Sequence, residues 1–165
     1  MEMENKFKIG GTFFIQCFDK NGKLKWEDTA KNIVTNVGLD HVLDVVFHGT
    51  SAVNPWYVGL KNTGAVAAGD TSASHANWTE NANYTGNRQE YVEAAASSQS
   101  ITNSANKASF AIDTDTQTIA GAFLDSAATG TAGVLVCAAD FTGGDKAADD
   151  GDTLEVTYTI SAADA

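Results

Sequence analysis

Histidine and aspartate side chains are the groups of this 165-residue chain that could bind a metal. His41 and Asp44 are three residues apart in a predicted helix, and Asp44 and His48 are four apart. That spacing could place all three side chains on one helix face as metal ligands. No further ligand follows at a suitable spacing, which favours a solvated helix face. We therefore predict no metal and no cofactor.

A second concentration of acids lies near the end of the chain. The segment TGGDKAADDG, residues 142–151, is followed directly by Asp152. Oxygen-rich loops can bind calcium, but calcium loops begin with alternating acids that this segment lacks. The pattern favours a solvated loop and leaves cation binding open.

The motifs of common enzymes are missing from the sequence. It holds no Gly-x-Ser-x-Gly turn for a nucleophile and no glycine-rich loop followed by a lysine for a phosphate. Cys17 and Cys137 lie in apolar, strand-like runs, which is typical of small buried side chains. Their spacing gives no support to a disulfide between them. We expect a protein that is not an enzyme.

The charge balance excludes some partners. The net charge is −11, from 21 acids and 10 bases. Nucleic acids and anionic membranes both demand a basic footprint, so we expect neither as a partner. No stretch of 18 apolar residues and no apolar leader segment is present, which predicts neither a membrane span nor a signal peptide.

Alternating apolar residues predict strands along most of the chain. The central stretch KASFAIDTDTQTIAGAFL, residues 107–124, is predicted to form a hairpin around its polar middle. A second hairpin joins residues 12–19 to residues 24–34 through Asn21-Gly22, a strong turn signal. The last strand, residues 152–160, places Leu154, Val156, Tyr158 and Ile160 on one face. About eight strands indicate an antiparallel β-sandwich or barrel-like domain.

One short helix interrupts the strands. Its apolar residues fall at helical spacing and form one stripe, and we expect the helix to lie across one sheet or an open end of the sandwich. Asn36 is the predicted N-cap and Gly49 the predicted stop. The stripe consists of Leu39, Val42, Leu43, Val46 and Phe47.

Two segments are candidates for contact with other molecules. Residues 1–11 are polar and end in Gly10-Gly11, which predicts a flexible N-terminal arm before a single β-rich domain at 12–165. The loop from Lys61 to Arg88 has no period and contains Trp78 and Tyr84. These aromatic residues either fold back onto the core or anchor an interface, and we expect an ordered interface element.

Seven segments in order cover most of the chain: FDKNGKLKWED, NIVTNVGLDHVLDVVF, YVGL, AGDTSASHANWTE, NRQEYVEAAASSQSITNSANKASFAI, IAGAFL and GDTLEVTYTISAA. Together they resemble small virion structural proteins of tailed bacteriophages. None is a catalytic motif, so the resemblance rests on the series.

The resemblance implies a non-enzymatic component of the phage particle, assembled in the host cytoplasm. The expected role is a head decoration, or cement, protein on the outer surface of the capsid. Its partners would be the major capsid protein, copies of itself in a homo-oligomer, or both. The alternative is a tail or fibre component that binds a receptor or carbohydrate, with Trp56, Trp78 and Tyr84 as stacking platforms. The predicted interface residues are Trp56, Trp78, Tyr84, Arg88, Phe7 and Ile9.

Overall fold

The computed structural model of the chain describes residues 7–164. Its first strands and its helix are β1 (Phe7–Phe18), β2 (Leu24–Lys31), β3 (Ile33–Val34) and α1 (Asn36–Leu43), which continues into a π-helical turn (Asp44–His48). The middle strands are β4 (Tyr57–Lys61), β5 (Glu80–Asn81), β6 (Gln89–Glu90), β7 (Ser100–Thr102) and β8 (Ala108–Ala111). The last strands are β9 (Gln117–Ile119), β10 (Gly121–Asp125), β11 (Leu135–Asp140), β12 (Lys146–Ala148) and β13 (Thr153–Asp164).

The strands form two antiparallel sheets with a sandwich-like arrangement. Sheet A has the order β2-β1-β13, with β7 and β8 both on the far side of β13. Sheet B has the order β3-β11-β10-β4, with β5 and β6 both beside β4, and β9 pairs with β12 in a small separate ribbon. The predicted mainly β, antiparallel fold with one short helix is confirmed. The sheets are not closed into a barrel.

The pairing of β1 with β13 is the longest in the molecule. It runs without a break from Phe7 opposite Asp164 to Phe18 opposite Thr153. Alternate side chains of both strands face sheet B, and the ring of Phe13 stacks on that of Tyr158 with centroids 4.0 Å apart. The predicted inward face of the last strand is confirmed, although that strand continues to Asp164. The β1–β13 pair therefore supplies a large part of the hydrophobic core.

The first predicted hairpin is present, but its second strand is shorter than expected. Asp19 Oδ1 accepts hydrogen bonds from the amides of Asn21 and Lys23, which fixes the turn. The expected strand at 24–34 breaks at Asn32, whose Nδ2 donates to the hydroxyl of Tyr158. The chain leaves sheet A there and enters sheet B as β3.

The central hairpin predicted for residues 107–124 is wrong. Strand β8 pairs with β13 in sheet A, whereas β10 pairs with β4 and β11 in sheet B. Both runs do form strands, but the second divides into β9 and β10, and β10 is buried along its whole length. The polar residues between the two runs carry the chain out of sheet A. Period-two patterning shows that a strand has one buried face and does not show which strand lies beside it.

Sheet B is covered on both faces. Its inner face packs against sheet A, and its outer face carries a second apolar cluster covered by the loop between β4 and β6. That cluster consists of Val66, Trp78, Phe123, Leu135 and Ala138. Double coverage explains why β11 has a nearly continuous apolar sequence.

Candidate functional site

Helix α1 begins at a buried threonine and lies unusually close to β11. The Oγ1 of Thr35, rather than the predicted Asn36, caps the helix by accepting a 3.0 Å hydrogen bond from the amide of Gly38. Gly38 itself faces β11, where a Cβ would stand 2.4 Å from the carbonyl oxygen of Val136. Only glycine permits this approach, so Gly38 determines which side of the helix faces the sheet.

The predicted apolar stripe therefore lies mostly on the outer side of the helix. Leu39 is 40% exposed, Leu43 52%, Val46 63% and Phe47 81%, while Val42 is half-buried. The stripe faces outwards because the side of the helix nearest β11 is the one that carries Gly38. We call Leu39, Leu43, Val46 and Phe47 the helix ridge. It is a row of exposed apolar side chains of a kind that marks interaction sites.

A π-helical turn ends the helix and carries half of the ridge. The turn spans Asp44–His48, and Gly49 closes it in the left-handed conformation at φ +78°, as predicted for the stop. Val46 and Phe47 lie in this turn. Single π turns of this kind often occur at functional sites.

The three residues weighed as metal ligands do not share one face of the helix. His41 points towards the sheets, with its ring edge-on to Trp56 at 5.4 Å between centroids, while Asp44 and His48 are exposed. Among residues 7–164, no group of three or more histidine, cysteine, aspartate or glutamate side chains is placed to hold a metal ion.

Beside the helix, an apolar cavity of about 320 Å³ opens at the end of the sandwich. Trp56 is half-buried in its wall, and Ile9, Val42 and Tyr91 are also part of the lining. The hydroxyl of Tyr91 donates to the carbonyl of Tyr158 at 3.1 Å, and burial raises the pKa of the Tyr91 hydroxyl. The cavity is a predominantly apolar space with few polar groups.

The predicted N-terminal arm falls partly outside the described residues, which begin at Phe7. The part that is described, 7–11, belongs to β1 and pairs in register with β13. Phe7 is 71% exposed at the start of the strand, and Ile9 is half-buried. Both predicted interface residues therefore lie on the sheet, near the helix end of the sandwich.

Trp78, a predicted interface anchor, is buried within the chain. Its side chain is 3% exposed, packs against Phe123 and donates from Nε1 to Asp70 at 2.9 Å. Lys61, also fully buried, lies over the indole ring, donates to the carbonyl of Gly64 and forms an ion pair with Asp140. The loop is thus held by polar contacts that a count of its apolar residues does not include.

Tyr84 and Arg88 are likewise buried within the chain. The Tyr84 ring packs edge-on to Phe110 at 4.8 Å. Arg88 is 7% exposed and its guanidinium donates to both carboxylate oxygens of Glu80 at 2.8 and 2.7 Å. It also donates to the carbonyl oxygens of Ala127 and Gly130. Its hydrogen bonds are therefore directed at the protein itself.

Ion pairs hold the acidic loop at 142–151 against strand β2. Lys25 forms ion pairs with Asp149 at 3.0 Å and with Asp152 at 2.5 Å. Lys146 pairs with Asp28 at 3.1 Å. The carboxylates of Asp149, Asp152 and Asp28 already have protein partners.

Cys17 and Cys137 are fully buried and free, as the sequence predicted for small apolar side chains. Burial, reinforced by the negative charge of Asp152, raises the pKa of the Cys17 thiol to about 12. Burial raises the pKa of Cys137 to about 11. A thiol in this state is a poor nucleophile and a poor metal ligand.

No protein-family model and no curated protein matches the chain.

None of the helices within residues 7–164 has the length and apolar character needed to cross a membrane. Four of the eight large apolar side chains that are exposed on the described residues belong to the helix ridge.

Sequence reasoning found the residues of the ridge as one apolar stripe but did not show that the stripe faces outwards. The signal that could have placed them correctly is Gly38, inside the helix at a position where a good helix former would otherwise be favoured. A glycine inside a helix often reflects close packing. Here the glycine faces the sheet, and the larger apolar residues beside it face outwards.

Proposed function

We propose that this chain is a non-enzymatic structural protein of a phage particle that decorates the outer surface of the capsid. The observation that carries the proposal is the helix ridge, with Phe47 81% and Val46 63% exposed. Side chains of this size gain free energy when another surface covers them. The proposed cover is the major capsid protein.

The composition and the sequence resemblance support the same assignment. A net charge of −11 suits a protein that stays outside the shell, away from packaged DNA. The series of segments from FDKNGKLKWED to GDTLEVTYTISAA supplies the link to virion structural proteins. Small polar residues dominate the rest of the surface and lose little side-chain entropy when a partner covers them.

The tail-module alternative has less support. It requires aromatic platforms on which sugar rings can stack, and two of the three predicted platforms, Trp78 and Tyr84, are buried. Trp56 remains, half-buried in the wall of the cavity. Protein stoichiometry in purified particles separates the two roles, since a decoration protein occurs in numbers comparable to the major capsid protein.

Binding to capsids that lack this protein tests the role of the ridge. Phe47→Ser combined with Val46→Ser should weaken binding at least roughly tenfold, because interface anchors of this size each contribute more than about 1 kcal/mol. The matched control is Leu24→Ser, which removes an apolar side chain that is 44% exposed at the turn end of β2. Equal binding by all three proteins would refute the proposed contact, and stoichiometry near that of tail proteins would refute decoration.

A further inference from the structure

Strand β1 has a backbone edge that no described strand covers. Strand β2 pairs with β1 only from Thr12 to Phe18, although β1 begins at Phe7. Asn32 ends this ladder: its amide donates to the carbonyl of Gly11, and its side chain accepts from the Gly11 amide. The chain then turns away into sheet B. The β2-side edge of residues 7–10 is left without a strand among residues 7–164.

The unpaired groups on this edge can be identified from the ladder. Gly11 directs its N–H and C=O towards the β2 side. Alternate residues of a strand direct these groups to the same side, so Ile9 and Phe7 do likewise. Their four backbone groups can therefore bond a further strand, as exposed sheet edges do when they bind an extended peptide.

A groove of about 620 Å³ runs beside this edge and differs in charge from the protein as a whole. Its charged lining residues are Lys8 and Lys31, and no acidic residue lines it, whereas the chain carries a net charge of −11. Leu39 of the helix ridge and Val34 supply apolar walls. The groove suits an extended segment that alternates acidic and apolar side chains.

The chain contains such a segment immediately before β1. Residues 1–9 read MEMENKFKI, in which acids occupy positions 2 and 4, lysines occupy positions 6 and 8, and apolar residues occupy positions 1, 3, 7 and 9. Reversed end to end about Asn5, each acid falls opposite a lysine and each apolar residue falls opposite another. The opposed pairs are Met1 with Ile9, Glu2 with Lys8, Met3 with Phe7, and Glu4 with Lys6.

We propose that the free edge of β1 pairs with residues 1–6 of a second copy of this chain. The two segments run antiparallel about a two-fold axis at Asn5 and join the two A sheets into one. In this register Phe7 and Ile9 lie opposite Met3 and Met1 of the second copy. All four are odd-numbered residues, so the unpaired N–H and C=O groups of Phe7 and Ile9 face the N–H and C=O groups of Met3 and Met1. Cross-strand pairs of opposite charge and of apolar side chains stabilise such a ladder.

Other registers are less favourable for the same sequence. A shift of one residue would place acidic side chains opposite apolar ones and would reverse the faces of the strand. A shift of two residues in either direction brings Glu4 opposite Glu4 or Lys6 opposite Lys6. Parallel pairing in register places like charges side by side. Among the antiparallel registers, the one about Asn5 opposes every charge with its opposite, and it is available whether or not the protein decorates a capsid.

Disulfide trapping tests the register directly. In the Asn5→Cys variant, the two copies of residue 5 lie directly opposite each other. Their Cα atoms then have the separation of an antiparallel pair, which a disulfide can span. Oxidised glutathione should convert this variant to a covalent dimer. The matched control is Asn21→Cys in the exposed β1–β2 turn, which should stay monomeric at the same concentration. Cys17 and Cys137 are fully buried and should not compete.

Two charge-reversed variants in the Asn5→Cys background test the pairing itself. Glu2→Lys with Glu4→Lys, and separately Lys6→Glu with Lys8→Glu, oppose like charges, so each variant alone should cross-link roughly tenfold more slowly. Mixed together, the two variants oppose lysines and glutamates at every charged position and should form the heterodimer, identified by its mass. The proposal would be overturned if either charge-reversed variant alone cross-linked at an unchanged rate. It would also be overturned if the mixture of the two did not form the heterodimer.

Discussion

Gly38 and Val136 touch backbone to backbone: a methyl group on Gly38 would stand 2.4 Å from the Val136 carbonyl oxygen and 2.8 Å from its Cα. Neither atom belongs to a flexible side chain that could move aside. The contact therefore fixes both the distance of helix α1 from β11 and the side of the helix that faces it. The exposure of the helix ridge is a consequence of this one contact.

Replacing Gly38 with alanine should destabilise the protein despite the higher helix propensity of alanine. Overpacking of this kind costs about 1–3 kcal/mol, which for a chain of this size corresponds to a fall of roughly 2–10 °C in Tm. Thermal unfolding followed by circular dichroism measures the change. Gly69→Ala is the control, since no atom lies within 4 Å of a Cβ there. An unchanged Tm for Gly38→Ala would show that the helix can shift away from β11.

The position of the helix illustrates what the sequence could and could not predict. The period of Leu39, Leu43, Val46 and Phe47 correctly indicated a helix with an apolar stripe, because that pattern depends only on local geometry. Which surface covers the stripe depends on a contact with Val136, about a hundred residues away. Local periodicity contains no information on such a contact.

Strand partners were missed for a related reason. The alternation of Phe110 and Ile112, and of Ile119 and Phe123, correctly indicated strands at the centre of the chain. The prediction joined them because they are neighbours in sequence, whereas β8 lies beside β13 and β10 beside β11. By contrast, the Asn21-Gly22 turn has a strong local geometry, and its hairpin was predicted correctly.

Trp78 should behave as a core residue. Trp78→Ala should lower the free energy of unfolding by about 3–5 kcal/mol, since it removes a buried ring and leaves the carboxylate of Asp70 without its indole donor. Urea denaturation measures the difference. Phe47→Ala, at an exposed position of similar aromatic character, should change the free energy by less than about 0.5 kcal/mol. Comparable losses at both positions would contradict the burial difference.

The interface prediction for the loop at 61–88 rested on a count of apolar burial alone. Its ordering depends largely on buried polar groups: Lys61 with Asp140, Trp78 with Asp70, and Arg88 with Glu80. Sequence alone shows these residue types but not that they meet. Buried charged groups that are fully paired are rare enough that exposure is the natural first expectation.

The thiols of Cys17 and Cys137 should be unreactive in the folded protein. The thiolate is the reactive form, and burial raises the pKa of Cys17 to about 12 and that of Cys137 to about 11. A chromogenic disulfide reagent at pH 8 should therefore release no product from the native protein, and 2 equivalents from the protein in urea, one for each cysteine. Rapid reaction of either thiol under native conditions would contradict this.

Asp28 should make the protein less stable in acid. Burial alone would raise the pKa of this carboxylate, but hydrogen bonds from Lys146 Nζ and from the amides of Thr29 and Gly143 outweigh it and lower the pKa below its usual value. Because the folded pKa lies below the unfolded one, the unfolded state binds the proton first as pH falls. The contribution of the Asp28 carboxylate to the free energy of unfolding is complete above its unfolded pKa of about 4. It disappears as the pH drops through the folded pKa.

Removing the lysine that binds Asp28 tests this dependence. Lys146→Met should bring the folded pKa of Asp28 closer to its unfolded value, so the free energy of unfolding should depend less steeply on pH between about 5 and 2. Lys20→Met is the control: it removes the same charge from an exposed turn residue with no described contact to Asp28. Urea denaturation of the three proteins across this range gives the slopes. Equal slopes for Lys146→Met and the unchanged protein would show that the ion pair with Lys146 does not couple Asp28 to folding.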